Sequence, residues 1–210
     1  MQIESGEIRR NVRDQVSSTR LGVEHEFRRT GHDQERGVNM DPLMRQAYAC
    51  VRSITPIPAD CGKLCDRQCC KGGDDAGMLM FPGEDPPEGM KVSGIEIYGY
   101  KTRFVVCRGW CERGKRPLSC RIFPFAPYLD SAGELLIIPD PRAKYICPLL
   151  TVDALTKIDP RFIAAVKNAF DILIQSDEIR EMLVAYSAML EGYARFTGDE
   201  LTSYAGLMSE

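Results

Sequence analysis

The chain has 210 residues, 44% of them hydrophobic and 27% charged, with a formal net charge of −3. These are ordinary values for a soluble globular protein, and the length gives one domain its own core. The small net charge is no polyelectrolyte signal, so nucleic acid is not an expected partner. No stretch approaches a membrane span, the longest strongly aliphatic run being Leu135 to Ile138.

Residues 1–39 differ from the rest. They hold seven Arg against seven Asp and Glu, with no Lys, Cys or Pro and one aromatic, Phe27. Such a neutral polyampholyte has little to bury and is expected to be a loosely held tail. Its polar first ten residues offer no apolar run for a signal peptide, which points to the cytoplasm. Glu35 to Asn39 before Met40 also reads as a translated purine-rich ribosome-binding site, with Met40 the native start. Mass spectrometry of the native N-terminus tests this, and a peptide spanning Glu35 to Arg45 overturns it. Residues 40–210 are expected to form a single domain, with a Cys-rich part over 58–150 and a helical part over 151–210.

A helix is expected to start at Asp41 as cap with Pro42 at its first position, and Leu43, Ala47, Val51 and Ile54 recur at helical spacing. Pro56 and Pro58 end it. The Gly- and Asp-rich stretch that follows reads as loop. Met78 to Phe81 suits a short strand, and Gly83 to Gly89 an acidic, Pro-rich surface loop. Ile95 to Tyr98 and Phe104 to Cys107 suit a hairpin turned around Gly99-Tyr100-Lys101. Tyr128-Leu129 and Leu135 to Ile138 suit a second, turned at Asp130 to Gly133.

Two helices are expected to follow. Asp159 caps Pro160, with Phe162, Ile163, Val166, Phe170, Leu173 and Ile174 as one stripe. Ser176 caps the next, whose stripe is Ile179, Leu183, Tyr186, Leu190 and Tyr193. The fold class is therefore α+β: a small Cys-rich core with short antiparallel strands, flanked by helices and a C-terminal helical hairpin.

Eight of the nine cysteines fall between Cys61 and Cys147. They run Cys61-x3-Cys65-x3-Cys69-Cys70, then Cys107-x3-Cys111-x8-Cys120, then Cys147. Thiols this dense in a chain without an export signal are more often metal ligands than disulfides, and an odd total fits a closed disulfide framework poorly. Cys50 falls in the first helix and reads as a packed apolar thiol. A metal site needs thiolates and cations to offset their charge. Lys63, Arg67 and Lys71 interleave with the first run; Arg108, Arg113, Lys115, Arg116 and Arg121 surround the second.

From Met40 onward there is no histidine, so a site there is built from sulfur, with Asp or Glu as possible extra ligands, which suits zinc or an iron–sulfur cluster. The absence of C-x2-C pairs tilts the choice toward iron–sulfur, a 4Fe–4S cluster being favoured. Adjacent Cys69 and Cys70 point to opposite sides of an extended chain, so without a special turn they serve two centres or only one of them ligates. Eight thiols allow two four-thiolate sites or one cluster with spare thiols.

The first cysteine run, followed by Arg116-Pro117-Leu118-Ser119-Cys120-Arg121-Ile122-Phe123-Pro124, resembles the YkgJ-type family of zinc- or iron-chelating proteins. That family carries a CxxCxxCC-like run and a later RPxxCRxFP segment; here the run has x3 spacings where the family pattern has x2. The resemblance covers Cys61 to Pro148. It implies ligand roles for Cys61, Cys65, Cys69, Cys70 and Cys120, with Cys107, Cys111 and Cys147 as partners. Arg116 and Arg121 would donate to the ligands or to a bound anion. Flagellin lysine N-methylases are similar over the same module, which keeps an enzyme in view.

The leading expectation is a metal or iron–sulfur protein of unassigned role, able to dock a protein partner. The alternatives are a cluster-dependent enzyme that modifies protein side chains and a thiol redox sensor using Cys69-Cys70. No P-loop, G-x-G-x-x-G or G-x-S-x-G is present, and from Met40 onward no histidine serves acid–base catalysis. Oligomeric state is not legible.

Overall fold

A computed structural model describes residues 40–73, 76–109 and 111–207. The tail over 1–39, with its expected looseness and its Met40 start, lies outside the described residues. The fold is α+β, with a three-stranded sheet, a two-stranded hairpin and helices packed on both. Among the described residues no helix is long and apolar enough to cross a membrane.

Helix α1 spans Pro42–Cys50, and Asp41 Oδ1 accepts from Leu43 N at 2.8 Å and Met44 N at 3.3 Å, as the Asp-Pro start predicts. Its deepest residues are Met44 and Ala47, so the buried stripe is rotated toward Met44 and Tyr48 and leaves Leu43 half-buried. Cys50 is half-buried against the core.

Strands β1 (Gly77–Met80), β2 (Val92–Ile97) and β3 (Tyr100–Val106) form an antiparallel sheet in the order β1-β3-β2. The β2–β3 turn is tighter than its composition suggests. Ile97 pairs with Tyr100, leaving only Tyr98 and Gly99 in the loop at φ of 45° and 81°. Two positive φ values are the signature of a turn whose twist matches the strands, so Tyr100 and Lys101 join β3.

After α2 (Leu118–Ile122), β4 (Phe125–Leu129) and β5 (Leu135–Pro139) form the second hairpin, with Leu129 opposite Leu135. Asp130 Oδ1 shapes its turn by accepting from Ala132 N at 2.9 Å and Glu134 N at 2.7 Å. A one-turn helix α3 (Val152–Leu155) leads to α4 (Pro160–Leu173), which Asp159 caps through Arg161 N at 2.9 Å. Helix α5 (Asp177–Thr197) starts at Ser176, whose hydroxyl makes no capping bond, and ends at Gly198 with φ 72°. A short α6 spans Tyr204–Leu207.

Helix α4 packs against α1 and β5, while α5 packs against β4 and the turn at Pro141–Ala143. Phe81 sits where these layers meet, with its ring 5.1 Å from Phe170 and 6.0 Å from Tyr186. Phe125 joins Phe162 and Tyr204 at 6.1 and 5.6 Å. Ile179, Leu183, Tyr186 and Leu190 are buried as their spacing predicts; Tyr193 is 46% exposed because α5 runs past the hairpin it covers.

The segment read as an acidic surface loop holds a buried carboxylate. Glu84 Oε1 accepts from Tyr48 OH at 2.5 Å and Leu118 N at 2.7 Å, and Oε2 from Phe81 N at 2.6 Å. One side chain thereby ties α1, the end of β1 and the start of α2.

Candidate metal centre

Cys61 to Cys70 is wound into two short 3₁₀ turns, Cys61–Lys63 and Gln68–Cys70. Asp60 starts the first by accepting from Gly62 N at 3.1 Å. Asp66 and Arg67, at φ of 48° and 54°, reverse the chain, and Arg67 N closes the reversal on Gly62 O at 2.9 Å. Consecutive left-handed residues without Gly are uncommon and hold only where the surroundings impose them. The reversal brings three cysteines within one compact loop. Cys65 Sγ lies 3.9 Å from Cys61 O, and the sulfurs of Cys69 and Cys70 lie 3.8 Å apart. The adjacent pair thus lies in a 3₁₀ turn rather than in an extended chain.

The second segment is fastened to this loop by glycines. A Cβ on Gly72 (φ 73°) would stand 2.7 Å from Gly109 N and 2.9 Å from Cys107 O. Only glycine lets the chain after Cys70 approach the chain after Cys107 so closely. Cys107 N donates to Ala76 O at 2.7 Å, continuing the β1–β3 edge. Cys120 rides on α2, which packs on β1. Cys147 opens the turn Pro148–Leu150, and it packs with Cys61 against the core.

Electrostatics sort the thiols into two neighbourhoods. Cys147 is pushed up to about 11, by burial first, with Cys61 and Cys65 adding to it. Cys61 is raised by burial and by Cys65. Cys120 is raised by burial first, then by Cys111, Cys70 and Cys107; Cys111 is raised by burial, with Cys70 and Cys107 adding to it. The contact between Cys69 and Cys70 shifts the two thiols in opposite directions. The Cys69 hydrogen bond lowers Cys70 to about 6, with help from Arg116 and Arg67, while Cys69 is raised by that same bond, by burial, and by Cys70, Cys65 and Cys61.

The arginines divide differently from their sequence positions. Arg116 Nη2 reaches Cys111 O at 3.5 Å, and its guanidinium interacts with Cys70, Cys111 and Cys120. Arg113 bonds the carbonyls of Val51 and Ile54 through Nη2 and faces Cys61. Arg121 is buried and turned toward the loop, with Nε on Arg116 O at 3.1 Å, Nη2 on Gly114 O at 2.7 Å and its guanidinium 4.5 Å from the Tyr48 ring centroid. It shapes the loop that carries Arg116. Lys71 and Lys115 pair with Asp66 and Glu112. Sequence reasoning counted Arg113 only among the cations around the second run, and it missed Glu84. A buried carboxylate in a Pro-rich acidic stretch leaves no local signal.

None of the nine cysteines is in a disulfide. Among the described residues no three Cys, His, Asp or Glu side chains stand close enough to hold an ion as they are placed, so ligation requires the thiols to close further. The surroundings fit an anionic sulfur group. The gathered donors are mainly thiols, with Asp60 beside Cys61, and the buried Nε atoms of Arg113 and Arg116 have no acceptor among the described residues. A buried N–H without a partner is costly, and metal-bound sulfur accepts such bonds. A shallow cleft of about 210 Å³ adjoins Cys111, lined by Pro87, Met90, Arg108 and Lys115 among others.

No protein-family model, curated protein or solved structure gives a match to this chain.

Proposed function

We propose that this is a cysteine-ligated metal protein whose thiols bind an iron–sulfur cluster in preference to zinc. The observation that carries the reading is the gathering of eight thiols from three separate stretches of chain around two inward-facing arginines. Thiolate ligation releases protons and leaves negative charge, which Arg113 and Arg116 offset from half-buried positions beside the thiols. The resemblance of Cys61 to Pro148 to YkgJ-type chelating proteins belongs to the same reading. So does a cytoplasmic location, where thiols stay reduced. Leu64, Tyr145 and Ile146 are exposed beside Cys65 and Cys147 and offer a protein partner an apolar surface next to the centre.

Anaerobic purification with iron, zinc and sulfide analysis and an absorption spectrum tests the reading. A brown protein with about four irons and matching sulfide per cluster supports the cluster; a colourless zinc protein moves the assignment to zinc. A metal-free protein that is fully folded and takes up neither overturns both.

One observation favours a second reading, a thiol redox sensor. The Cys69 and Cys70 sulfurs stand 3.8 Å apart, and Cys70 is lowered to about 6. Oxidant treatment followed by peptide mapping tests it, and the absence of a Cys69–Cys70 bridge rejects it.

A further inference from the structure

We infer that the chain builds two separate four-thiolate centres, Cys61/Cys65/Cys69/Cys147 and Cys70/Cys107/Cys111/Cys120, divided between the adjacent residues Cys69 and Cys70. The inference rests on the metal-binding reading above and deepens it, because it assigns each of the eight thiols to a centre and Arg113 and Arg116 to one centre each.

The first set is built on the double turn. The reversal closed by Arg67 N on Gly62 O gathers Cys61, Cys65 and Cys69 within nine residues. Cys147 is brought to them because the chain around Pro56 and the chain beyond Cys147 are joined by Asp159 N donating to Pro56 O at 2.8 Å. Arg113 is its cation, anchored at Nη2 on the carbonyls after α1 with its buried Nε unpartnered among the described residues.

The second set is built on the glycine contact. Gly72 against Gly109 sets the residue after Cys69 beside Cys107, and Arg116 spans from the Cys111 carbonyl toward Cys70 and Cys120. Its Nε is the other buried donor that lacks an acceptor among the described residues. Each set thus has four sulfurs and one guanidinium N–H free to bond a metal-bound sulfur. Hydrogen bonds of that kind tune a cluster's potential and a thiolate's affinity. The 3₁₀ turn at Gln68–Cys70 is the junction between the sets, and it holds the two sulfurs 3.8 Å apart.

The test uses the full chain, reconstituted without oxygen, and reads metal per chain by native mass spectrometry with zinc as probe, and then with iron and sulfide. The wild-type chain is expected to take about two zinc ions, or about eight irons, because each centre carries four thiolates. Cys147→Ser and Cys111→Ser should each lower that content by half. The adjacent pair gives the sharpest reading. Adding Cys69→Ser to Cys147→Ser should remove nothing more, whereas adding Cys70→Ser should remove the remaining metal. Circular dichroism on each variant separates a lost site from a lost fold, and the wild-type stoichiometry stands even if a variant misfolds. A wild-type chain saturating at one ion or one cluster overturns the two-centre inference and leaves the metal-binding reading intact. So does equal loss from the two double variants. A wild-type chain that binds no metal at all removes the underlying reading.

Discussion

Glu84 sits inside the protein although its neighbours Gly83, Asp85, Pro86 and Pro87 make the segment look solvated. Its two oxygens accept from three donors on three elements, so an amide in its place must turn an NH2 group toward an N–H or O–H. Glu84→Gln is expected to cost about 1–3 kcal/mol, read as a lowered urea midpoint with an unchanged slope. Burial also raises the Glu84 carboxyl above its ordinary value of 4.5. A raised acid is bound more tightly by its proton in the folded state. Its contribution is therefore full below about 4.5 and is lost as pH rises through the higher folded value. Urea midpoints measured from pH 4 upward should show wild-type stability falling more over that window than the Glu84→Gln variant does. At the same scale Arg121, placed by its motif beside a cysteine, spends its donors on backbone carbonyls, while Arg113 takes the position facing Cys61.

At the scale of elements, the link between β5 and α5 is a buried ion pair. Asp140 is fully buried, pairs with Arg142 Nη2 at 2.6 Å and caps the Pro141–Ala143 turn through Arg142 N at 2.9 Å. Arg142 also bonds Tyr186 on α5, whose hydroxyl is pushed up to about 12, by burial first. Asp140→Ala strands the guanidinium and uncaps the turn that leads to Cys147, so a loss of about 3 kcal/mol is expected in chemical denaturation. The helices and strands themselves were largely legible, because caps and periodicity act within a few residues. Asp41-Pro42 and Asp159-Pro160 marked two helix starts, and the aliphatic run Leu135 to Ile138 marked a strand. The β2–β3 turn was misplaced by its Gly-Tyr-Lys sequence, since register there is set by the match of Ile97 to Tyr100 across the sheet. Helix α2 was missed because five residues carry too little period to read.

For the whole molecule, the apolar core and the thiol sites are distinct sources of stability. Phe81, Phe125, Phe162, Phe170 and Tyr186 bind α4, α5 and the β4–β5 hairpin together without calling on a cysteine. Among the described residues, the loops from Cys61 to Gly73 and from Cys107 to Lys115 carry 3₁₀ turns but no α-helix or strand. Under the proposed metal-binding reading, a chelator is accordingly expected to lower the thermal midpoint while sparing most far-ultraviolet helix signal at 25 °C. Amide exchange should accelerate first in those two loops. Loss of all helix signal on chelation would instead make the metal a condition for the core.

By itself the sequence determined the chemistry available: a sulfur-rich donor set without histidine, cations interleaved with it, and helices and strands whose caps and periods are written in neighbouring residues. The tertiary structure decided proximity. Cys147 stands with Cys61 rather than with Cys120, Glu84 lies inside, and Arg113 faces Cys61. The division follows from range. Capping and periodicity are interactions of residues a few positions apart, whereas two sulfurs separated by 86 positions meet only after the core has packed the segments that carry them.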